Sequence, residues 1–272
     1  ELHAPDRYRK RHETEELFPE LARLYQRKYS DLSFDLVIAA DDNALRFLFE
    51  HRKTLFPGVP AVFCGVNSFS RSKLTDTKNM TGIMDRIDIN KTLEAALQLH
   101  PDVRHLVSVS DSTPTGRSAH RRFVEVAQRR YAHLTHIDLD NLPREELRRR
   151  LRALPRHALV LNLSLFRAAD GSRFTARQAN RFIAEATDAP IYSFWDFMIE
   201  RGAMGGYVVR AKQHGMEAAR IALRVLGGED PDEMPIRIRA ADRYLFDYAQ
   251  LKKRGIPRSR IPANSLIINR PS

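Results

Sequence analysis

Short polar residues recur in this sequence directly after apolar runs of strand-like composition. Asp41-Asp42-Asn43 follows Phe34 to Ala40, Gly65-Val66-Asn67-Ser68 closes the run from Ala61, and Asp111-Ser112-Thr113-Pro114-Thr115-Gly116 follows His105 to Ser110. Ser164-Leu165-Phe166 ends the run from Ala158, and Trp195-Asp196 comes after Pro190 to Phe194. Carboxylates, amides and hydroxyls at such points hydrogen-bond readily, and the helix that follows a strand end presents unpaired N–H groups. The chemistry implied is recognition of a small polar molecule. Taken singly, Asp42, Asn43, Ser112 and Thr115 are residue types that cap helices. Taken together, five polar strand ends describe a cleft lined with donors and acceptors. Asp42 and Asp111 suit an amine or hydroxyls, helix N-termini suit a carboxylate, and Phe166 and Trp195 offer rings for stacking. An amino acid or a small organic acid meets these demands.

Catalytic chemistry finds no comparable support. Cys64, the single cysteine, lies inside an apolar run and reads as a small core residue, and being alone it excludes an intramolecular disulfide and a zinc site built from cysteine pairs. His133 and His136 are three apart on an expected strand and face opposite sides. No Gly-x-Ser-x-Gly elbow, Walker loop or His-Glu-x-x-His occurs. Gly202-Ala203-Met204-Gly205-Gly206 reads as a turn without the dinucleotide fingerprint; its glycines let backbone pass close to an opposite lobe or a ligand, which adds Gly205 to the candidates. Asp85, Asp88, Asp138 and Asp140 form carboxylate pairs only if the fold brings them together. No catalytic residue, metal or cofactor is assigned, and an enzyme working on a small molecule in the cleft is the remote alternative.

These residues need a framework. In 272 residues, roughly one large or two ordinary domains, apolar runs alternate with segments of helical period, the mark of a parallel α/β architecture. Expected strands are Phe34 to Ala40, Ala61 to Val66, His105 to Ser110, Leu134 to Asp140, Ala158 to Leu165 and Pro190 to Phe194. Expected helices include one with Leu17, Leu21 and Leu24 inward, one after Asp42-Asn43, one capped by Asn90, and Thr115 to Tyr131, Pro143 to Leu154, Thr175 to Ala186 and Gln213 to Leu226. The strands form two groups joined by an extended stretch from Gly82 to Asn90, and the tail from Ile256 reads as an ordered extended segment. Hydrophobic residues at 43% and charged residues at 29% describe a globular chain with no apolar run near the 20 residues a membrane helix needs. The first residues lack the order of a secretory signal, so the chain is cytoplasmic or has lost that segment. The net charge of +11 comes largely from arginines interleaved with glutamates, as in Arg144-Glu145-Glu146-Leu147-Arg148, a solvated face rather than a nucleic-acid surface.

Several runs together resemble the substrate-binding-protein-like family related to ABC transporters: Phe34 to Leu45, Leu55 to Asn67, Thr81-Gly82-Ile83, Pro101-Asp102-Val103, Asp111 to Gly116, Ala189 to Tyr192 and Gly202 to Gly206. The ending, Phe246-Asp247-Tyr248, Ile261 to Ser265 and Ile268 to Ser272, is similar to members that serve as extracytoplasmic sensors of membrane histidine kinases or diguanylate cyclases. The resemblance implies the type I periplasmic binding protein fold: two Rossmann-like lobes with parallel sheets joined by a multi-crossing hinge, ligand in the interlobe cleft. It sets one lobe at residues 1–86 plus 205–232 and the other at 87–204 plus 233–272. Family members begin with a further strand and helix, so the first lobe is expected to lack them here. It also implies a periplasmic domain tethered to the inner membrane only by segments outside this chain, no activity of its own, and a receptor that pairs as a homodimer. A free solute-binding protein of an ABC importer is the alternative.

Overall fold

Residues 11–67, 78–199, 202–238 and 242–271 are described in the computed structural model. The chain divides into two compact units, Glu1–Arg86 with Lys212–Ala241, and Ile87–Ala211 with Asp242–Ser272. Both are α/β, and their sheets are mostly parallel.

In the first unit, β1 (Val37–Ala40), β2 (Ala61–Val66) and β3 (Met80–Met84) lie side by side in that order, all parallel. Period-two alternation divides their side chains between two helical layers. Val37, Ala39, Ala61, Phe63 and Met80 pack with Leu45 and Leu48 of α2 (Asp42–Leu55), while Val62 and Ile83 meet Ala218, Ile221 and Ala222 of α7 (Ala211–Leu226). On β1 the second face is open, with Ile38 47% exposed. Helix α1 (Arg11–Lys28) sets Phe18 and Tyr25 against Phe47 of α2.

In the second unit, α3 (Ile89–Leu99), β4 (His105–Ser110), α4 (Pro114–Arg130), β5 (Thr135–Asp140), α5 (Arg144–Arg152), β6 (Ala158–Asn162), α6 (Ala176–Ala186), β7 (Ile191–Tyr192) and β8 (Ala203–Val208) precede α7. Beyond it come β9 (Arg243–Asp247), α8 (Tyr248–Lys253) and β10 (Leu266–Ile268). The sheet runs β10-β9-β8-β7-β6-β4-β5, parallel throughout except between β8 and β9. One face buries Leu106, Leu159 and Leu161 under α3, α4 and α8 through Leu93, Phe123 and Leu251; the other buries Val107, Val109 and Val160 under Leu147 of α5 and Phe182 of α6. Burial at about 25 cal/mol per Å² makes these two layers the main stabilising term. The arginines pair along their own helices, as Arg148 with Glu145 at 3.6 Å and Arg181 with Glu185 at 3.3 Å. Exposed pairs of this kind contribute little to stability.

Several sequence expectations change. Pairing is narrower than the apolar runs: β1 begins at Val37, β6 ends at Asn162 and β7 holds two residues. The stretch from Gly82 is the end of β3, and its continuation is tied to the first unit by Asp85 N–H to the Val66 carbonyl, 2.8 Å, so it is no free extended joint. Asp88, not Asn90, caps α3, accepting from Lys91 N–H at 3.0 Å, while Asn90 bonds Glu94. Gly202 to Gly206 is not a turn: most of it is the start of β8. Residues 205–208, expected in the first lobe, pair in the second sheet and 209–211 belong to the same unit, whereas 233–238, expected in the second, return to β3 through the Ile83 and Arg237 bridge. The tail from Ile256 is ordered through residue 271, with a short 3-10 turn at Arg258–Arg260 before β10.

Glycine explains β8. A Cβ on Gly205, whose φ is +154°, would sit 2.3 Å from the Leu245 carbonyl oxygen, and one on Gly206 would sit 2.3 Å from that of Ser193. These are close passes within one unit, correcting the expectation of an opposite lobe. Gly205→Ala is expected to cost about 2–4 kcal/mol, whereas Gly215→Ala, in α7 with nothing within 4 Å of its Cβ position, should stabilise by about 1 kcal/mol. Urea midpoints of the two variants check both signs.

Candidate functional site

Sheet order in the second unit defines where a ligand belongs. From β4 the chain steps outward to β5, then returns to place β6 on the other side of β4. At such a reversal the two loops leaving the carboxyl ends diverge and open a crevice. Here those loops are Asp111 to Gly116 after β4 and Leu163 to Arg167 after β6.

Asp111 spans the reversal. Its carboxylate accepts from Thr113 N–H at 3.0 Å and Thr113 hydroxyl at 2.5 Å within its own loop, and from Phe166 N–H at 2.5 Å and Arg167 N–H at 3.3 Å across the crevice. Burial is complete, and it pushes the carboxyl's pKa up, outweighing the downward pull of bonds from Thr113, Phe166 and Arg167. Gly116 must be glycine, since its Cβ would lie 2.3 Å from the Asp111 carbonyl oxygen. Thr113 is the N-cap of α4, accepting from Gly116 N–H at 3.1 Å, a role expected of Ser112 or Thr115. Ser112 is exposed, and Ser164 is fully buried with its hydroxyl unpartnered. Phe166 is 6% exposed, and its backbone is fixed by Asp111.

After β7, Trp195 stacks on Phe197 with centroids 6.4 Å apart and planes at 26°. Trp195 is 6% exposed and Phe197 38%, so the pair shows one ring to solvent and buries the other. Asp196 joins this loop to the next: its N–H donates to the Val209 carbonyl, 3.0 Å, and its carboxylate accepts from Ala211 N–H, 3.2 Å, at the start of α7. Gly205 lies apart from these loops, under Leu245 and Phe246 of β9, and its glycine is required by packing.

The first unit holds the other candidates. Asp41, at φ +85°, caps α2 and accepts from Asp42 N–H at 2.7 Å. That role was expected of Asp42 and Asn43. Asp42 instead binds Asn67 twice, accepting from its backbone N–H at 3.0 Å and side-chain amide at 3.1 Å, so the loops after β1 and β2 are clamped together. Asn43 is part-exposed in the first turn of α2; Ser68 lies outside the described residues. Gly65, at φ +66°, donates its N–H to His214 Nε2 at 3.2 Å. That bond requires the neutral imidazole with its proton on Nδ1. His214 was missed because no local pattern connects it with a residue 149 positions away. The Cys64 thiol is pushed up by burial, then by Asp85 and Asp41, which keeps it protonated and inert. Among the described residues no group of three or more His, Cys, Asp and Glu is placed to hold a metal, and no helix is long and apolar enough to cross a membrane.

Parallel sheets of this order, with polar and aromatic residues at the carboxyl ends of their strands, define an open, doubly wound α/β protein. The family model for ABC transporter substrate binding proteins matches residues 18–260, and the chain belongs to that family. Its fold is similar to a conserved domain protein from Vibrio cholerae, at TM-score 0.67 and 17% identity over 92% of this chain and 83% of that one. It is also similar to an ABC domain in complex with L-Trp from Streptococcus pneumonia, at TM-score 0.65, 18% identity and 92% and 86% coverage. A third is the ligand-free, open form of a substrate binding protein with adhesive properties from Clostridium difficile, at 0.67, 15%, and 94% and 84%. No curated protein sequence matches the chain.

Asp111→Ala would strand three backbone N–H groups, and the expected loss is about 3 kcal/mol or more. A pH series adds a sign. A carboxyl with a native pKa above its unfolded value binds its proton more tightly when folded, so its contribution to stability falls as pH rises from the ordinary carboxylate range through the native value. The urea midpoint of the wild type relative to that of Asp111→Asn should fall between pH 4 and 7, since the pH dependence of all other groups is common to both proteins.

Proposed function

We propose that this chain is an extracytoplasmic ligand-binding domain that senses an amino acid or small organic acid for a membrane receptor with a histidine kinase or diguanylate cyclase output. The observation that carries the binding part is the crevice between the loops after β4 and β6, bridged by Asp111 and bordered by polar side chains. Ser112, Ser164 and Phe166 at the reversal and the ring pair of Trp195 and Phe197 after β7 are the proposed contacts of the second unit; Asn43 and Asn67 after β1 and β2 are the candidates of the first unit by itself. Asp41, Asp42, Asp111, Thr113, Asp196 and Gly65 act by holding their loops. Gly205 contributes through packing alone.

The division follows from geometry. The Asp111 carboxylate accepts four hydrogen bonds and has little capacity left for a ligand, and Asp42 gives both its oxygens to Asn67, whereas the Asn43 and Ser112 side chains hold no intramolecular bond among the described residues. The ring pair supports a ligand with an apolar or aromatic part, and the L-Trp complex of the streptococcal neighbour agrees with that chemistry. The sensor role rests on the resemblance of the ending, Ile268-Asn269-Arg270-Pro271-Ser272, to receptor members of the family. Membership of the ABC transporter substrate binding family equally favours a second reading, a free binding protein of an importer.

A thermal-shift screen of amino acids and small organic acids is expected to return a compound that raises the midpoint and is recovered unchanged. At 100 times its Kd it should stabilise by about 2.7 kcal/mol. Phe197→Ala should weaken a ring-bearing ligand about tenfold, some 1.4 kcal/mol, and Ser112→Ala should weaken it with no change in unliganded stability. Failure of every compound, or affinity indifferent to both variants, would refute the site. Reading the coding sequence past Ser272 tests the receptor: an apolar helix of about 20 residues followed by a signalling output is expected, and a stop codon there gives the importer reading.

A further inference from the structure

The amino-terminal edge of the second sheet, opposite the loops described above, holds a cavity of about 680 Å³. That volume falls in the range of small-molecule sites. Its walls come from the segments entering β4, β6 and β7 and from the last turns of α5 and α6, with His100 closing α3 and Arg254 closing α8. All belong to one unit.

Charge on these walls is unbalanced. Each of the three carboxylates has a base: Asp102 meets His157 at 2.7 Å, Glu185 meets Arg181 at 3.3 Å and Asp188 meets Lys253 at 3.9 Å. Arg152 and Arg156 have no carboxylate partner among the described residues, and Arg254 has none within ion-pair distance, the Asp188 carboxylate reaching it only through space. Arg254 donates one bond, from its terminal nitrogen to the Asp188 carbonyl at 2.8 Å, while its Nε is buried and unpartnered. Beside it two more polar groups are buried without partners, His100 Nε2 and the hydroxyl of Tyr192, a residue with no exposed surface. Their rings meet edge to face at 6.0 Å. Three unsatisfied groups in one neighbourhood are unusual, because buried polar atoms nearly always find partners.

We propose that this cavity is a second ligand site, which takes the carboxylate or phosphate group of a small anion on the Arg254 guanidinium, with Tyr192 and His100 behind it. An oxyanion supplies what these groups lack, acceptors for a charged fork and a hydroxyl. Burial raises the Tyr192 phenol, which therefore remains a donor. Burial and the neighbouring Arg254 hold the His100 imidazole at a pKa of about 4, so it adds a polar edge and no charge at neutral pH. The helix ends that reach the cavity bring carbonyls with partial negative charge, which oppose the guanidiniums and set the expected affinity near millimolar. The site uses none of the residues of the proposed function, so either can fail without the other.

Titration of the isotope-labelled protein with inorganic phosphate, and separately with succinate, at ionic strength held constant with sodium chloride provides the test. The Arg254 Nε–H resonance should shift and saturate with a Kd of about 1 mM; saturation by phosphate alone or by succinate alone tells which oxyanion the site prefers. Arg254→Gln should raise that Kd at least tenfold, read on neighbouring backbone amides, while Arg150→Gln, on the exposed side of α5, should leave it unchanged. Should Arg254→Gln not fold, Tyr192→Phe decides, since it removes an unpartnered hydroxyl and breaks no bond; it should raise the Kd at least threefold. A response linear in both anions, or an unchanged Kd in the deciding variant, overturns the proposal.

Discussion

A carboxylate with no exposed surface holds the second unit's site together. Asp111 stands where β4 ends, and the donors it satisfies belong to two loops that the sheet reversal drives apart. The Thr113 and Phe166 N–H groups are buried with it, so without the carboxylate their desolvation would go uncompensated. The charge is costly to bury, as the raised pKa shows, and four donors offset only part of that cost. What results is a fixed floor on which Ser112, Ser164 and Phe166 are mounted. The first unit solves the same problem with weaker parts, Asp42 against Asn67 and His214 against Gly65.

The architecture was largely legible because parallel sheets write themselves as apolar runs. His105 to Ser110 and Ala61 to Val66 were read to the residue, since burial on both faces admits little but Val, Leu, Ala and small polar residues. Beta strands built on glycine were not. Gly205 and Gly206 have poor strand propensity, and what makes β8 a strand is the approach of β9 and of the Ser193 carbonyl, neither visible locally. Short, half-exposed strands such as β10, with Leu266 and Ile267 only partly buried, carried too weak a period to register.

At the site, position was legible and role was not. Strand-end residues were found because the fold class dictates where they stand. Whether a given residue faces a ligand or braces its loop depends on hydrogen bonds over long separations, 55 residues for Asp111 with Phe166 and 149 for Gly65 with His214. The sequence shows only an aspartate in the first case and a glycine in the second. Helix caps slid for a similar reason: of several adjacent capping residues, the turn geometry selects one, Asp41 over Asp42 and Thr113 over Ser112.

The order in which the chain visits its two units carries a consequence for how the protein is made. Val62 and Ile83 wait for Ala218, Ile221 and Ala222 of α7, which emerge from the ribosome only after nearly all of the second sheet. At translation speeds of roughly 5–20 residues per second, the nascent first unit keeps one greasy face bare for several seconds. Its synthesis therefore invites a holding chaperone during that interval, whereas the second unit lacks only β9, α8 and β10 when α7 appears.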